Sequence, residues 1–311
     1  MGNSNPLALG ATVEPKPDEQ PSFKFSAPPP GLARFVEYLF CSQVTGHFAN
    51  RIEAVRLPEA EAQLVFVIEE GNCFPGSRWL ADGLRVSLFL HPGHLQVIPI
   101  PVSLRLAVGV ALRPAGLRLL LPRGVGNLLD VGLIPLEDLL GEQARTLLAR
   151  LVAESTPSAR LGVLQSYLAE RAVGAPPPNC TVARAIELIR AAHGEISTEQ
   201  LAEACGCTSR TLRSATVAEV GLAPKHLARI VRIRHALDLL ANAGVRLSDA
   251  AAASAFSDQA HMSREFRDLI GAPPSRLSER IHSRPLPHHS AERNLMSTGL
   301  LIVPKGSPIA I

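Results

Sequence analysis

Hydrophobic and polar positions divide this chain into stretches of different period. Between about residues 51 and 121, short apolar runs alternate with Gly, Pro, Asn and Asp: LVFVI at 64–68, RVSLFL at 85–90, QVIPI at 96–100 and LRLAVGVAL at 104–112. Runs of this length, punctuated by turn formers, predict several short strands packed as a β-sandwich or small barrel. Ahead of them, Leu32, Phe35, Val36, Leu39 and Phe40 recur at helical spacing and predict a helix within Gly31 to Gln43. After Asp130 the helical period returns, with Leu136, Leu139, Leu140, Leu147, Leu148 and Leu151 near one stripe. A second helix is predicted over 158–171, with Leu161, Leu164, Tyr167 and Leu168 inward. Gly174-Ala-Pro-Pro-Pro-Asn179 then ends the periodicity, because Pro cannot continue a helix and stiffens the chain into a spacer. The expected fold class is two-domain α+β. A flexible arm (1–27) leads into a β-sandwich domain with flanking helices (28–172), a Pro-rich linker (173–179), an all-α domain (180–282) and a flexible tail (283–311).

The all-α domain carries one short pattern twice. In EISTEQLAEACGCTSRTLRSATVAEVG (195–221), Ser197 followed by Gln200 is a capping-box start, and Gly206 supplies a left-handed stop. Cys207 plugs the turn, and Thr208 caps a second helix that opens with polar and basic residues. Two short helices joined by a tight Gly turn form the grammar of a helix-turn-helix. The start of its second helix would meet base edges, which makes Ser209, Arg210, Arg213 and Ser214 the candidates. The pattern recurs in LSDAAAASAFSDQAHMSREFRDLIG (247–271). There Ser248 is expected to cap the first helix, Phe256 to plug the turn, and Ser257 or Asp258 to cap the second. Its candidate readers are Gln259, His261, Ser263, Arg264 and Arg267. Between the copies, Leu227, Ile230, Val231, Arg234, Leu237 and Leu240 recur at helical spacing and predict one long linker helix. Such a helix could hold two recognition helices about one DNA turn (roughly 34 Å) apart.

Residues 180–282 resemble the DNA-binding domain of the AraC/XylS family of bacterial transcription regulators. The resemblance is carried by LAEACGCTSRTL (201–212), GLAPKHLARIVRIRHALDLL (221–240) and AFSDQAHMSREFRDLIGAPPSRL (255–277). Ser214 and Thr216 stand where the family usually has Arg and Phe, and Ala250, Ala255 and Met262 where it has Ile, Gly and Phe. Loss of a buried Phe at 216 would loosen the first motif by up to ~3–5 kcal/mol unless neighbours repack. Less specifically, PPPGLARFVEYLF, LVFVI and VGVALRPAGLRLLL with the two following helices resemble the cupin-like sensor domain of some family members. The resemblance implies a sequence-specific regulator that binds double-stranded promoter DNA. It also implies a homodimer controlled by a small-molecule effector at the N-terminal domain, with RNA polymerase as a further partner.

Composition narrows the alternatives. The chain of 311 residues is 46% hydrophobic, enough for packed cores. Its net charge of +3 is divided as −1 over residues 1–178, +3 over 179–285, mostly through Arg, which suits bidentate phosphate and guanine contacts, and +1 over 286–311. No apolar run approaches the ~18–20 residues a membrane span needs, and the first residues do not read as a signal peptide. The expectation is a cytoplasmic, bacterial protein with reduced thiols at Cys41, Cys73, Cys180, Cys205 and Cys207. Cys205-x-Cys207 is read as core packing rather than zinc, because no second ligand pair follows. His91-x-x-His94 is read as a surface turn. No nucleophile elbow, phosphate loop or catalytic carboxylate pair is present. The expectation is therefore no enzyme, no cofactor and no metal. The rival reading is a metal-dependent cupin-type enzyme with an accessory helical domain.

Overall fold

The computed structural model describes residues 22–43, 52–56, 61–70, 74, 76–80, 83–91, 98–100, 104–121, 133–242, 244–283 and 300–304. The N-terminal half is built on one antiparallel sheet. Its strands are β1 (Ser22–Ser26), β2 (Val36–Gln43), β4 (Ala62–Glu69), β5 (Arg78–Trp79), β6 (Arg85–His91), β8 (Leu104–Leu112) and the short β9 (Ile134–Pro135). The order is β1-β2-β8-β4-β6-β5, with β9 also paired to β6. A separate three-stranded sheet joins β3 (Ile52–Arg56), β7 (Ile98–Ile100) and β10 (Leu300–Pro304).

The run LVFVI reads as continuously apolar because β4 is buried on both faces. Leu64 and Phe66 enter the main core, while Val65 and Val67 pack with Phe74 and Phe89 on the opposite face. Helices α1 (Pro114–Leu120), α2 (Leu136–Leu140), α3 (Glu142–Ala153) and α4 (Pro157–Ala172) follow the strands. Leu147, Leu151, Leu164 and Leu168 of α3 and α4 close the main core against the sheet. The single leucine stripe expected after Asp130 is two helices, because Gly141 adopts φ +54° between α2 and α3.

The helix expected within Gly31 to Gln43 is a strand. Leu32 ends a short 3-10 turn, and Val36, Leu39 and Cys41 are buried within β2. A register shift between Val36 and Tyr38 breaks the two-residue alternation, which is what gave these positions their helical spacing. The arm and the tail each contribute a strand, the tail's within the Leu300-LIVP run that reads as a short appended strand at most. Ser22–Ser26, in the arm, pairs with β2, and Leu300–Pro304, in the tail, pairs with β3. The side chains of His91 and His94 lie outside the described residues.

After the Pro-rich stretch, Asn179 caps α5 (Cys180–Ala191) with its side chain accepting from the Thr181 and Val182 amides. Then come α6 (Thr198–Ala204), α7 (Ser209–Val220), α8 (Pro224–Leu240), α9 (Leu247–Ala253), α10 (Gln259–Ile270) and α11 (Pro274–Ser283). Two cores form along α8. Leu227, Ala228 and Ile230 belong to the core of α5, α6 and α7, whereas Ile233, Ala236 and Leu237 belong to that of α9, α10 and α11. A helix whose halves serve different cores cannot bend freely between them, so α8 is the spacer predicted from its periodicity.

Candidate nucleic-acid interface

Each motif is assembled by local chemistry. Ser197 and Gln200 complete the capping box, with Ser197 Oγ accepting from the Gln200 amide at 3.1 Å and Gln200 Oε1 from the Ser197 amide at 2.9 Å. Gly206 stands at φ +64° and closes α6. Thr208 Oγ1 accepts from the Thr211 amide at 3.1 Å and starts α7. Leu212, Thr216, Glu219 and Val220 face inward on α7, and Arg210, Arg213 and Ser214 are exposed, with Ser209 half-buried. Thr216 is buried, and its hydroxyl donates to the Leu212 carbonyl at 2.7 Å, so no polar atom is orphaned where the family carries Phe.

In the second motif Asp258 is the cap. Its Oδ1 accepts from the His261 amide at 2.6 Å, and that bond, helped by Arg264, holds the carboxyl below its usual range. Gln259, Arg264 and Arg267 are exposed, while His261 and Ser263 are half-buried. His261 Nδ1 faces Ser257 Oγ at 3.1 Å, and its ring meets Phe256 edge-on. Only Nε2 of His261 is then left to meet a base. Both recognition helices end on a left-handed glycine, Gly221 and Gly271.

Two local expectations are corrected. Ser248 does not cap α9. The N-cap is Arg246, which makes no capping bond and instead pairs with Asp249 at 3.0 Å. The turn residue Ala255 sits at φ +52°, a conformation that costs a side chain with a β-carbon about 1–2 kcal/mol. Ala255→Gly is therefore expected to raise the stability of the second motif by about 0.5–1 kcal/mol, the relief being partly offset by glycine's freedom in the unfolded chain. Chemical denaturation checks this, and an unchanged or lowered midpoint would show that the turn is not strained.

The linker-helix arginines serve the fold. Arg229 Nε pairs with Glu265 of α10 at 2.7 Å, and Arg232 Nη2 donates to the Gly194 carbonyl at 2.8 Å. Burial, and then Arg229, Arg213 and Lys225, push the imidazole of His226 below its ordinary value.

The sequence reading missed the contacts between domains. Glu219 lies buried on the back of α7. It accepts from the Asn179 amide at 3.2 Å and faces Arg118 of α1 at 3.5 Å. Arg190 of α5 pairs with Glu61 and lies 3.6 Å from Glu37. Burial works against that charge, and the two carboxylates more than offset it. A glutamate on the inward face of an amphipathic helix was the available signal, since such a group needs a partner.

Residues 201–280 match a family described as "Helix-turn-helix domain". They are a helix-turn-helix domain of the AraC type. The chain is a DNA-binding transcription regulator, and nothing in this match supports the enzyme reading. Among solved structures, ToxT from Vibrio cholerae O395 shares 9% identity at a TM-score of 0.38, over 83% of this chain and 96% of that one. The P21 form of ToxT from Vibrio cholerae gives 10% identity and a TM-score of 0.38, over 83% of this chain and 97% of that one. Likeness at that level carries no argument. No curated protein matches the chain closely enough to count as a relative. Among the described residues, no helix is long and apolar enough to cross a membrane.

Proposed function

We propose that this regulator reads promoter DNA with two unlike heads, α7 through Ser209, Arg210, Arg213 and Ser214, and α10 through Gln259, His261, Ser263, Arg264 and Arg267. The observation that carries the reading is the pair of capped helices, each with its polar and basic residues outward, set on one helix shared by two cores. Arg and Gln at exposed helix positions suit guanine and adenine edges, and Lys225 suits a phosphate. The N-terminal domain is proposed to take a small-molecule effector and to dimerise the chain, with RNA polymerase as a further partner at the promoter. Its contacts to Glu219 and Arg190 give it a direct hold on the back of α7 and on α5.

The test begins with duplexes selected by the full chain from a random-sequence pool. Arg264→Ala is expected to weaken binding to the selected duplex by about 1–3 kcal/mol, ten- to a hundredfold, and to change binding to random duplex little. Equal loss on both would make Arg264 a phosphate contact. Selection of no duplex at all would sink the DNA reading. Light scattering on the same complexes reads the stoichiometry, and one chain per duplex would exclude the homodimer.

A further inference from the structure

One face of α8 touches both reading heads. From the first motif, the α5–α6 turn reaches it. The Gly194 carbonyl accepts from Arg232, and the His193 ring lies on the His235 ring with centroids 3.9 Å apart and planes 13° from parallel. From the second motif, the carbonyl of Ala253, the last residue of α9, faces the His235 imidazole and favours its charged form. The Arg232 guanidinium sits 5.7 Å from the ring of Phe256, the plug of the second turn. Arg232 and His235 are neighbours on successive turns of α8, and each contacts both motifs. His193 is held at φ +48°, against the local preference of a residue with a β-carbon. The surrounding contacts keep that ring in place.

We propose that the stacked His193–His235 pair is an acid-sensitive joint between the two DNA-reading heads, closed when both rings are neutral and opened by protonation. It rests on the reading of both motifs as DNA readers. Two neutral imidazoles stack readily, whereas two imidazolium ions at this spacing repel. The charged groups around the pair come from three sides. Helix α8 brings Asp238 and Arg232, with Arg234 beside Asp238; the α5–α6 turn brings His193 itself; α9 presents the Ala253 carbonyl. Burial pushes the His235 imidazole below its ordinary value and His193 adds to that push, while Asp238 and the Ala253 carbonyl oppose both. A base whose value is lowered by folding binds fewer protons folded than unfolded. The contribution of the joint is therefore complete above the ordinary imidazole value of about 6.5 and is lost as pH falls below it toward the lowered value. An opened joint frees the angle between α7 and α10, which matters only when both heads must seat on one duplex.

The duplex selected near neutral pH gives a full site, and scrambling either half gives two half sites. Binding of all three to the full chain is compared at about pH 7.5 and about pH 5.5. Acid is expected to weaken the full site about tenfold more than either half site, and His193→Phe, which keeps a ring to stack but no proton to gain, is expected to remove that excess. Equal acid losses on full and half sites overturn the proposal, as does an excess that survives in His193→Phe. NMR titration of the histidines in the wild-type chain, without DNA, decides the case if the variant misfolds or selection yields no duplex. A His235 transition below that of an ordinary imidazole supports the joint, and one at or above it overturns the joint.

Discussion

Replacing Phe266 with alanine is expected to unfold the second reading head locally and to remove its share of DNA binding, although Phe266 itself touches no DNA in the proposed complex. The ring is fully buried in the core formed by α9, α10, α11 and the second half of α8. Truncating a buried Phe costs about 3–5 kcal/mol, from lost transfer energy and the cavity left behind. The first motif has a separate core that excludes Phe266, so the loss stays on one side of α8. Hydrogen exchange checks this. Amide protection across α9 and α10 is expected to fall by about two to three orders of magnitude while α5 and α6 keep theirs. Full-site affinity is expected to drop to that of the first half site alone. Equal loss of protection in both motifs would show that the two cores unfold together, and no loss would show that the cavity closes at little cost.

Thr216 holds the same place in the first motif, five residues before its closing glycine, as Phe266 does in the second. Reading the sequence, this difference pointed to the first motif as the weak half. In the structure, Thr216 returns its hydroxyl to the backbone inside a closed core, and the strain appears instead in the second motif, at Ala255. Sequence gives residue size directly, but backbone dihedrals only through glycine, so Ala255 in place of the family's Gly marked the position without giving the sign of its φ. The same reasoning sorts the rest. Most caps were legible because each acts within four residues along the chain, as Ser197 with Gln200 and Thr208 with Thr211 show, whereas Ser248, next to a helix that starts without a capping bond, misled. Strand β2 was misread because a register shift disturbed its alternation, and the short β1, β5 and β9 carry too few residues to show a period. The partners of Arg229 and Arg232 leave no local signal, because Glu265 and the Gly194 carbonyl are 36 and 38 residues away. The outward faces of α7 and α10, which are local, were legible; the network that aims them, which is not, had to be seen.

That network is most exposed to test at Gly194. Gly194→Ala is expected to produce the other large effect, because two costs add at one atom. Gly194 stands at φ +81°, and an added β-carbon would lie 2.3 Å from the Ala228 carbonyl oxygen and 2.9 Å from the Arg232 amide nitrogen, both of them backbone of α8. The left-handed conformation alone costs alanine about 1–2 kcal/mol, and forcing the turn away from α8 costs about 1–3 kcal/mol more. Retreat of the turn would also break the bond from Arg232 to the Gly194 carbonyl and draw His193 off His235, so the two heads would lose their common brace. The expected signature differs from that of Phe266→Ala. Protection falls in α5 and α6 and persists in α10, the half site of the second motif binds as before, and the full site loses the gain from joining two halves. Chemical denaturation, hydrogen exchange and the three duplexes together read this. Wild-type stability in Gly194→Ala would mean that α8 can shift to admit a methyl group, and α8 would then not be the rigid spacer on which two-headed reading depends.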